Sequence, residues 1–477
     1  MRGVWLAILF LLVNAWGMMA CANSKLDVVL LLDNSASMLT SDPDNLRLDA
    51  VRGFMALLRE DDRLAVFTFG ERVKPISDFV LLDAKTRLRL EARVVQEMTP
   101  SAAYTNLHAP LAQALDQLAG RRPDAVPMVV LFTDGRMDMG DVRTDERLTR
   151  ELVEHVLPRY RAGGARIYGL AFSDGSDRGL LDTLALNTGG FSHSAQRPQD
   201  VWRAFGNLFE NIKKPDRLPV RDGRFLVDAS VKEFKLLSGS RGAESLVLRS
   251  PSGRSTVNPP AEHGNPVLTV RSPEAGEWQI SNAAGDDTVV AESSIDLATD
   301  LPDYVAAGRL PRPLKLWAEE EGPAGALNLS RMSLHWWPEQ DPQARRVVPL
   351  QRVGSQGPFT GQMPVLGLGT YSLELDAEGP SFRRSKRISL RVVSDSTPIP
   401  AVAAQVPTPR PSLSRPEPSP PVTPREAVQT DFFGLFRIED QAAWTTLRSI
   451  FWTNLVLCVV IGVVLIWRRW RRTREGH

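Results

Sequence analysis

Cysteine is nearly absent: among 477 residues only Cys21 and Cys458 carry a thiol. One closes an N-terminal apolar segment and the other lies inside a C-terminal apolar span. The stretches between them therefore hold no disulfide, and their stability rests on packed cores. Histidine is scarce too, with six in the chain, none at metal-ligand spacing, and neither His-Glu-x-x-His nor Gly-x-Ser-x-Gly occurs. Charge of one sign is missing: 57 Lys and Arg against 56 Asp and Glu leave a formal net charge of +1. Without a basic field, and without a zinc-finger, P-loop or RNA-binding signature, nucleic acid is excluded as a partner class. The apolar fraction of 43% is ordinary for soluble globular material, and the length allows two or three domains.

What is present centres on Leu30 to Met38, Leu-Leu-Leu-Asp-Asn-Ser-Ala-Ser-Met. Val28 to Leu32 is a short continuous apolar run, as expected of a central parallel strand covered on both faces, and Asp33 falls where that strand ends. Asp33, Ser35 and Ser37 alternate, so an extended or gently turning segment points one carboxylate and two hydroxyls the same way. Such hard oxygen donors suit magnesium or calcium. A lone Asp-x-Ser-x-Ser is more often a turn or a helix cap. Here it has company. Asp134 ends a second apolar strand, Met128 to Phe132, and Thr105 precedes an amphipathic helix marked by Leu107, Leu111, Leu115 and Leu118.

With these three segments the chain resembles the von Willebrand factor type A (VWA) family from Lys25 to about Ile212. That family's metal-ion-dependent adhesion site uses Asp-x-Ser-x-Ser, a distant Thr, and an Asp-Gly after a strand. Carried over residue by residue, the resemblance implies metal ligands at Asp33, Ser35, Ser37, Thr105 and Asp134. The cation it implies is divalent, Mg2+ foremost, with Mn2+ or Ca2+ as alternatives. The two aspartates would act largely through waters, and an Asp or Glu carboxylate of a protein ligand would fill the open position. The loop before Thr105 departs from the pattern, with Ser101, Ala102, Ala103 and Tyr104 where many members carry glycines.

The rest of the chain supports an α/β, doubly wound Rossmann-like domain over 25–214, read from strand and helix patterns in alternation. A helix starts near Asp42-Pro43 and carries Ala50, Val51, Phe54, Met55 and Leu58; Leu64 to Phe69 is a strand. Helical patterns cover Leu88 to Met98, Asn106 to Leu118 and Asp145 to Tyr160, the last ended by Pro158 and Gly163-Gly164; Ile167 to Phe172 and Gly190 to His193 are the final strands. In such a sheet ligands bind beyond the carboxyl ends of the strands, where strand order reverses, which is where neighbouring strands would place Asp33 and Asp134. Short alternating strands with Gly and Pro turns then read as all-β Ig-like sandwich modules over 221–300 and 301–395. Trp278, Trp336 and Trp337 read as core or sheet-face aromatics.

Arg2, the apolar run Val4 to Val13 and Ala20-Cys21-Ala22 have the parts of a signal peptide over 1–22, with lipidation of Cys21 as the alternative. Residues 396–428 form a Pro-rich linker, the prolines from Pro398 to Pro424 spanning about 80 Å at roughly 3.1 Å per residue. Ser449 to Trp467 is uncharged and, at about 1.5 Å per residue, close to the roughly 30 Å of a bilayer core. Five arginines between Arg468 and Arg474 follow, so residues 468–477 are expected to form a cytoplasmic tail. The expectation is a single-pass type I membrane protein, of a bacterial inner membrane, with the VWA domain in the periplasm.

Two function classes fit: a metal-dependent protein-binding module, or an auxiliary or scaffold subunit of a membrane complex. An enzyme is not expected. His108 is the nearest candidate base, and no base is assignable to Ser35 as a nucleophile. Discrimination among protein ligands is expected from Tyr104, Arg136 and Met137, which the chain places around the open coordination position.

Overall fold

The computed structural model describes residues 25–395, apart from residues 44, 101, 135, 173–177, 196–200, 238–245, 259–266, 282, 284–286, 311–312, 321–326, 328 and 356. All of them belong to one unit of the chain, residues 1–412. The expected signal segment, Pro-rich linker, transmembrane segment and tail lie outside the described residues. Among the described residues no helix is long and apolar enough to cross a membrane.

Strand β1 (Lys25–Asp33) is buried from its second residue on. Its side chains alternate between two cores: Val28, Leu30 and Leu32 join one hydrophobic cluster, Val29 and Leu31 the other. That is the outcome expected of a continuous aliphatic run with helices on both sides. Each such side chain contributes roughly 1.5–3 kcal/mol of transfer free energy, so this strand is a principal source of the domain's stability.

With β2 (Arg63–Phe69), β3 (Val73–Leu81), β4 (Ala125–Thr133), β5 (Arg166–Ala171) and β6 (Ser192–Ser194), β1 forms a six-stranded sheet in the order β3-β2-β1-β4-β5-β6. All pairings are parallel except β2 with β3. Strand β3 has no counterpart in the sequence reading. It carries Pro75 and pairs irregularly, which only an edge strand tolerates.

Among the described residues seven helices longer than a single turn accompany these strands: α1 (Leu46–Leu57), α2 (Ala84–Glu97), α3 (His108–Leu118), α4 (Val142–Glu151), α5 (Leu157–Ala162), α6 (Arg178–Thr188) and α7 (Val201–Lys213). Two differ from expectation. Asp42-Pro43 does not open α1; a single helical turn, Met38–Ser41, comes first, and Asp42 instead accepts the Arg47 N–H into its carboxylate from outside the helix. Pro158 does not end its helix either. A π-helical turn (Leu152–Val156) joins α4 to α5, its extra residue re-spacing the backbone bonds where proline lacks an N–H.

Beyond α7 the described residues form strands and the turns between them. The segments expected as two modules share one long sheet, in the order β12-β9-β14-β7-β23-β22-β18-β19, with β16 beside β23. Here β7 is Asp216–Leu218, β9 Val231–Leu237, β12 Val267–Arg271, β14 Thr288–Ser293, β16 Tyr304–Ala306, β18 Arg331–Pro338, β19 Arg346–Val348, β22 Gly369–Glu378 and β23 Arg383–Val393. Strand β7, directly after the α/β part, is the seam: it pairs with β14 on one side and β23 on the other. Two four-stranded sheets complete the sandwiches: β8 (Arg224–Val227), β10 (Leu246–Arg249), β11 (Ser255–Asn258) and β13 (Gly276–Ser281) in the order β11-β10-β13-β8 over one half, and β15 (Ile295–Thr299), β17 (Leu314–Glu320), β20 (Leu350–Arg352) and β21 (Phe359–Gly361) in the order β15-β17-β21-β20 over the other. Phe225, Phe234 and Trp278 pack edge-on and stacked in the first core, and Trp336 lies in the second, so these tryptophans are interior.

The α/β part is sealed against these sheets. Leu237, Val267, Val290, Tyr304 and Val393 belong to the same hydrophobic cluster as Val28 and Phe54. Tyr304 stacks on Phe191 and donates its hydroxyl to the Gly190 carbonyl. His193 Nδ1 lies 3.0 Å from Glu339 Oε1, and Lys235 Nζ donates to the Ala56 carbonyl at 2.9 Å.

Candidate metal centre

The carboxyl ends of β1 and β4 lie side by side, with Leu32 opposite Phe132, so the residues that follow, Asp33 and Thr133-Asp134, meet at one edge of the sheet. Asp33 is fully buried there. Its Oδ1 accepts the Ser35 N–H at 2.9 Å and the Ser35 hydroxyl at 2.6 Å, while Oδ2 accepts the Thr133 hydroxyl at 2.5 Å. Ser37 Oγ is 2.9 Å from Ser35 Oγ. Asp134, also buried, accepts the Ser41 hydroxyl on Oδ2 at 3.3 Å. Burial pushes the Asp33 carboxyl up to about 6; the neighbouring charge of Asp134 adds to this, and the Ser35 and Thr133 hydrogen bonds oppose it.

Thr105 is brought in by its loop. The Ala36 N–H donates to the Ala102 carbonyl at 2.7 Å, Asn106 N–H to the Gly70 carbonyl at 2.9 Å, and Thr105 exchanges both backbone bonds with Asp138 at 2.7 and 2.9 Å. The loop thus ties the segment of Asp33, the end of β2 and the segment after Asp134. Ala102 packs directly on Gly70, where a Cβ would fall 2.1 Å from Ala102 Cβ, so the close approach requires glycine at that position. Thr105 itself is buried, and Asn106 Oδ1 accepts the His108 and Ala109 N–H groups to start α3. His108 is held at that helix start.

The expected rim residues separate. Tyr104 is 40% exposed, with its ring against Gly140, whose φ is +75°: a Cβ there would fall 2.5 Å from Tyr104 Cε1. Arg136 is exposed. Met137 is half-buried and packs on the cluster of Leu107 and Leu111, so part of it supports the loop from beneath.

Three contributors had escaped the sequence reading: Thr133, Ser41 and Arg47. Thr133 and Ser41 are ordinary polar residues beside a motif and gave no signal. Arg47 did give one, because it continues the inward stripe of α1 through Ala50, Val51 and Phe54, where a charge is out of place.

Chemically, the site offers two carboxylates that repel one another in a buried setting, with the Ser35, Ser37, Ser41 and Thr133 hydroxyls about them and the Thr105 loop tied alongside. Among the described residues there is no cluster of three or more His, Cys, Asp or Glu. The donor set is therefore oxygen-only and hydroxyl-rich, and it fits a hard divalent cation. The hydrogen-bond partners of the Ser35 hydroxyl are Asp33 and Ser37, with no histidine or lysine between them.

Known proteins are similar to part of this chain. An uncharacterized protein of Synechocystis sp. is 25% identical over 187 residues, 39% of this chain and 41% of that one. The inter-alpha-trypsin inhibitor heavy chain H3 of Mus musculus is 24% identical over 196 residues, 40% of this chain and 21% of that one. The chain thus spans about two fifths and one fifth of these relatives. A solved von Willebrand factor type A structure from Catenulispora acidiphila is 12% identical, covering 80% of this chain and 69% of that chain at a TM-score of 0.34. Residues 27–205, a span that holds all five candidate ligands, match the family model of the von Willebrand factor type A domain.

Proposed function

We propose that this chain is a metal-dependent protein-binding module, displayed outside the cytoplasm on a single-pass membrane anchor. The observation that carries the binding reading is the meeting of Asp33, Ser35 and Ser37 with Asp134 and the Thr105 loop at the carboxyl ends of adjacent parallel strands. Asp33, Ser35, Ser37, Thr105 and Asp134 would hold the cation, most simply Mg2+. Bound there, a divalent cation offers an open coordination position to a partner's Asp or Glu carboxylate.

The protein's residues do the rest. Thr133 and Ser35 fix the Asp33 carboxylate, and the Asp138 backbone fixes Thr105. Tyr104 and Arg136 stand exposed beside the site and supply discrimination, with Met137 bracing the loop. The display reading rests on sequence: the apolar segment Ser449 to Trp467 and the arginines after it place the binding domain across the membrane from the tail, in a periplasm if the cell is bacterial.

The test is titration calorimetry of the purified chain with Mg2+ or Mn2+, together with Asp33→Ala. Saturable binding lost in the variant supports the reading, and equal binding in both refutes it. A pull-down from membranes with and without chelator then separates the two function classes. Partners captured only with the cation fit ligand binding, and partners captured in both conditions fit a scaffold subunit.

A further inference from the structure

We infer that Arg47 is the built-in counter-charge of the metal site, holding the ligand loop together when no cation is bound and weakening the hold on the cation when one is. The inference rests on the metal reading above. Arg47 is among the largest fully buried side chains of the protein, 1% exposed. Its Nη1 donates to the Asp33 carbonyl at 3.0 Å and its Nε to Asn45 Oδ1 at 3.0 Å, with Asp42 Oδ2 3.6 Å from Nε. The Arg47 backbone N–H donates to the same Asp42 oxygen at 3.1 Å. One side chain thus grips both ends of the loop that carries Ser35 and Ser37, at Asp33 and at Asp42.

The charge arithmetic gives the grip its second meaning. Asp33, Asp42 and Asp134 are all buried, and their charges are the ones that act on the Arg47 guanidinium. Three buried negative charges and one buried positive charge leave an excess that one divalent cation cancels. Removing Arg47 leaves the empty site more strongly negative, so the empty state loses stability while the cation is attracted more strongly. A purely structural clamp would instead weaken both states alike.

The experiment compares wild type, Arg47→Gln and Arg47→Lys as full-length chains. It reads Mn2+ affinity by calorimetry and the melting temperature in chelator and in Mn2+. Arg47→Gln is expected to bind Mn2+ roughly tenfold more tightly and to melt earlier chiefly in chelator, so that the metal-induced shift in Tm widens. Arg47→Lys keeps the charge and loses the planar fork, so it is expected to melt earlier in both buffers with a Mn2+ affinity on the wild-type side of Arg47→Gln. An Arg47→Gln chain that folds only with Mn2+ also supports the inference. Three results overturn it: unchanged or weaker Mn2+ binding by Arg47→Gln, equal tightening in both variants, or an Arg47→Gln chain unfolded in both buffers. If wild type itself shows no Mn2+ binding, the metal reading falls first, and the variants are not what refuted it.

Discussion

Thr133 and Asp33 stand a hundred positions apart in sequence and meet across the boundary between β1 and β4, the threonine hydroxyl donating to Asp33 Oδ2. The contact locks the carboxylate that the sheet edge presents, and it leaves the Ser35 side of Asp33 to face the hydroxyls. A buried carboxylate deprived of one such donor loses about 1.5–3 kcal/mol. Thr133→Val keeps the shape and removes the donor, so it is expected to destabilise the domain by about 2 kcal/mol and to weaken divalent binding by roughly tenfold or more, as loss of a ligand-orienting partner does. Urea melts and Mn2+ titration measure both, and a variant with wild-type affinity would show that the contact does not orient Asp33.

At the opposite end of β1, Asp27 is held by Arg63 through both oxygens at 2.9 and 2.6 Å, and by Arg122 through its N–H at 2.6 Å and its Nε at 3.0 Å. Burial pushes this carboxyl up, and the Arg63 and Arg122 hydrogen bonds outweigh it, leaving the net value below the ordinary 3.8. A carboxylate with a depressed folded value contributes stability above the unfolded value that disappears as pH falls through the folded one. Asp27→Asn is therefore expected to cost about 3–5 kcal/mol at pH 7, and the gap from wild type should narrow once the pH drops below about 4. Denaturant melts at pH 7 and pH 3 check the sign, and a gap that widens in acid contradicts it.

Not every ion pair in the protein deserves such weight. Arg271 and Glu60 join the sandwich to the α/β part at 2.6 Å, yet both are more than half exposed. Exposed pairs are typically worth less than about 1 kcal/mol. Glu60→Gln is expected to leave Tm essentially unchanged, whereas Trp278→Ala, which empties the centre of the Phe225 and Phe234 cluster, should cost about 3–5 kcal/mol. Calorimetric melts of the two variants rank them, and a reversed order would mean that the interface charges matter more than the core.

Partner discrimination has its own test. Tyr104→Ala and Arg136→Ala, made separately, are expected to weaken capture of the native partner by about 2 kcal/mol or more where the residue anchors the interface, with metal affinity unchanged. Gly140→Ala forces a side chain onto a positive φ and into the Tyr104 ring, so it should lower stability by more than about 1 kcal/mol and reduce capture as Tyr104→Ala does. If all three variants capture the partner at wild-type levels, discrimination lies elsewhere on the surface.

Much of this was legible in the residues. Continuous aliphatic runs announced β1 and β4, and the alternation of Asp33, Ser35 and Ser37 announced a segment that gathers oxygen donors, because burial on both faces and the period of an extended chain leave plain marks. Strand β3 left none, since an edge strand with a proline and one wet face lacks either signature. Pro158 misled because a π-helical turn rescues the helix it should have ended. Arg47 left a mark as a charge in the apolar stripe of α1, but its partners Asp33 and Asp42 lie outside that helix, so the stripe alone does not show what the charge is for. The sharing of one sheet by both sandwiches was out of reach, because pairing between distant strands is not written in either strand alone.

Strand β7 has a consequence for how the protein is made. It leaves the ribosome soon after the α/β part, but one of its neighbours is β23, so Arg217 must wait for Ser385 before its sheet can close. Closing a loop of that length is slow compared with local helix formation. Until synthesis passes Val393, which itself packs into the cluster beneath β1, the nascent chain carries an open sheet edge and an uncovered apolar face. Those are features that chaperones bind and that aggregation exploits. A chain truncated before β23 is thus expected to be a handling problem for the cell that makes it, even with every site residue in place.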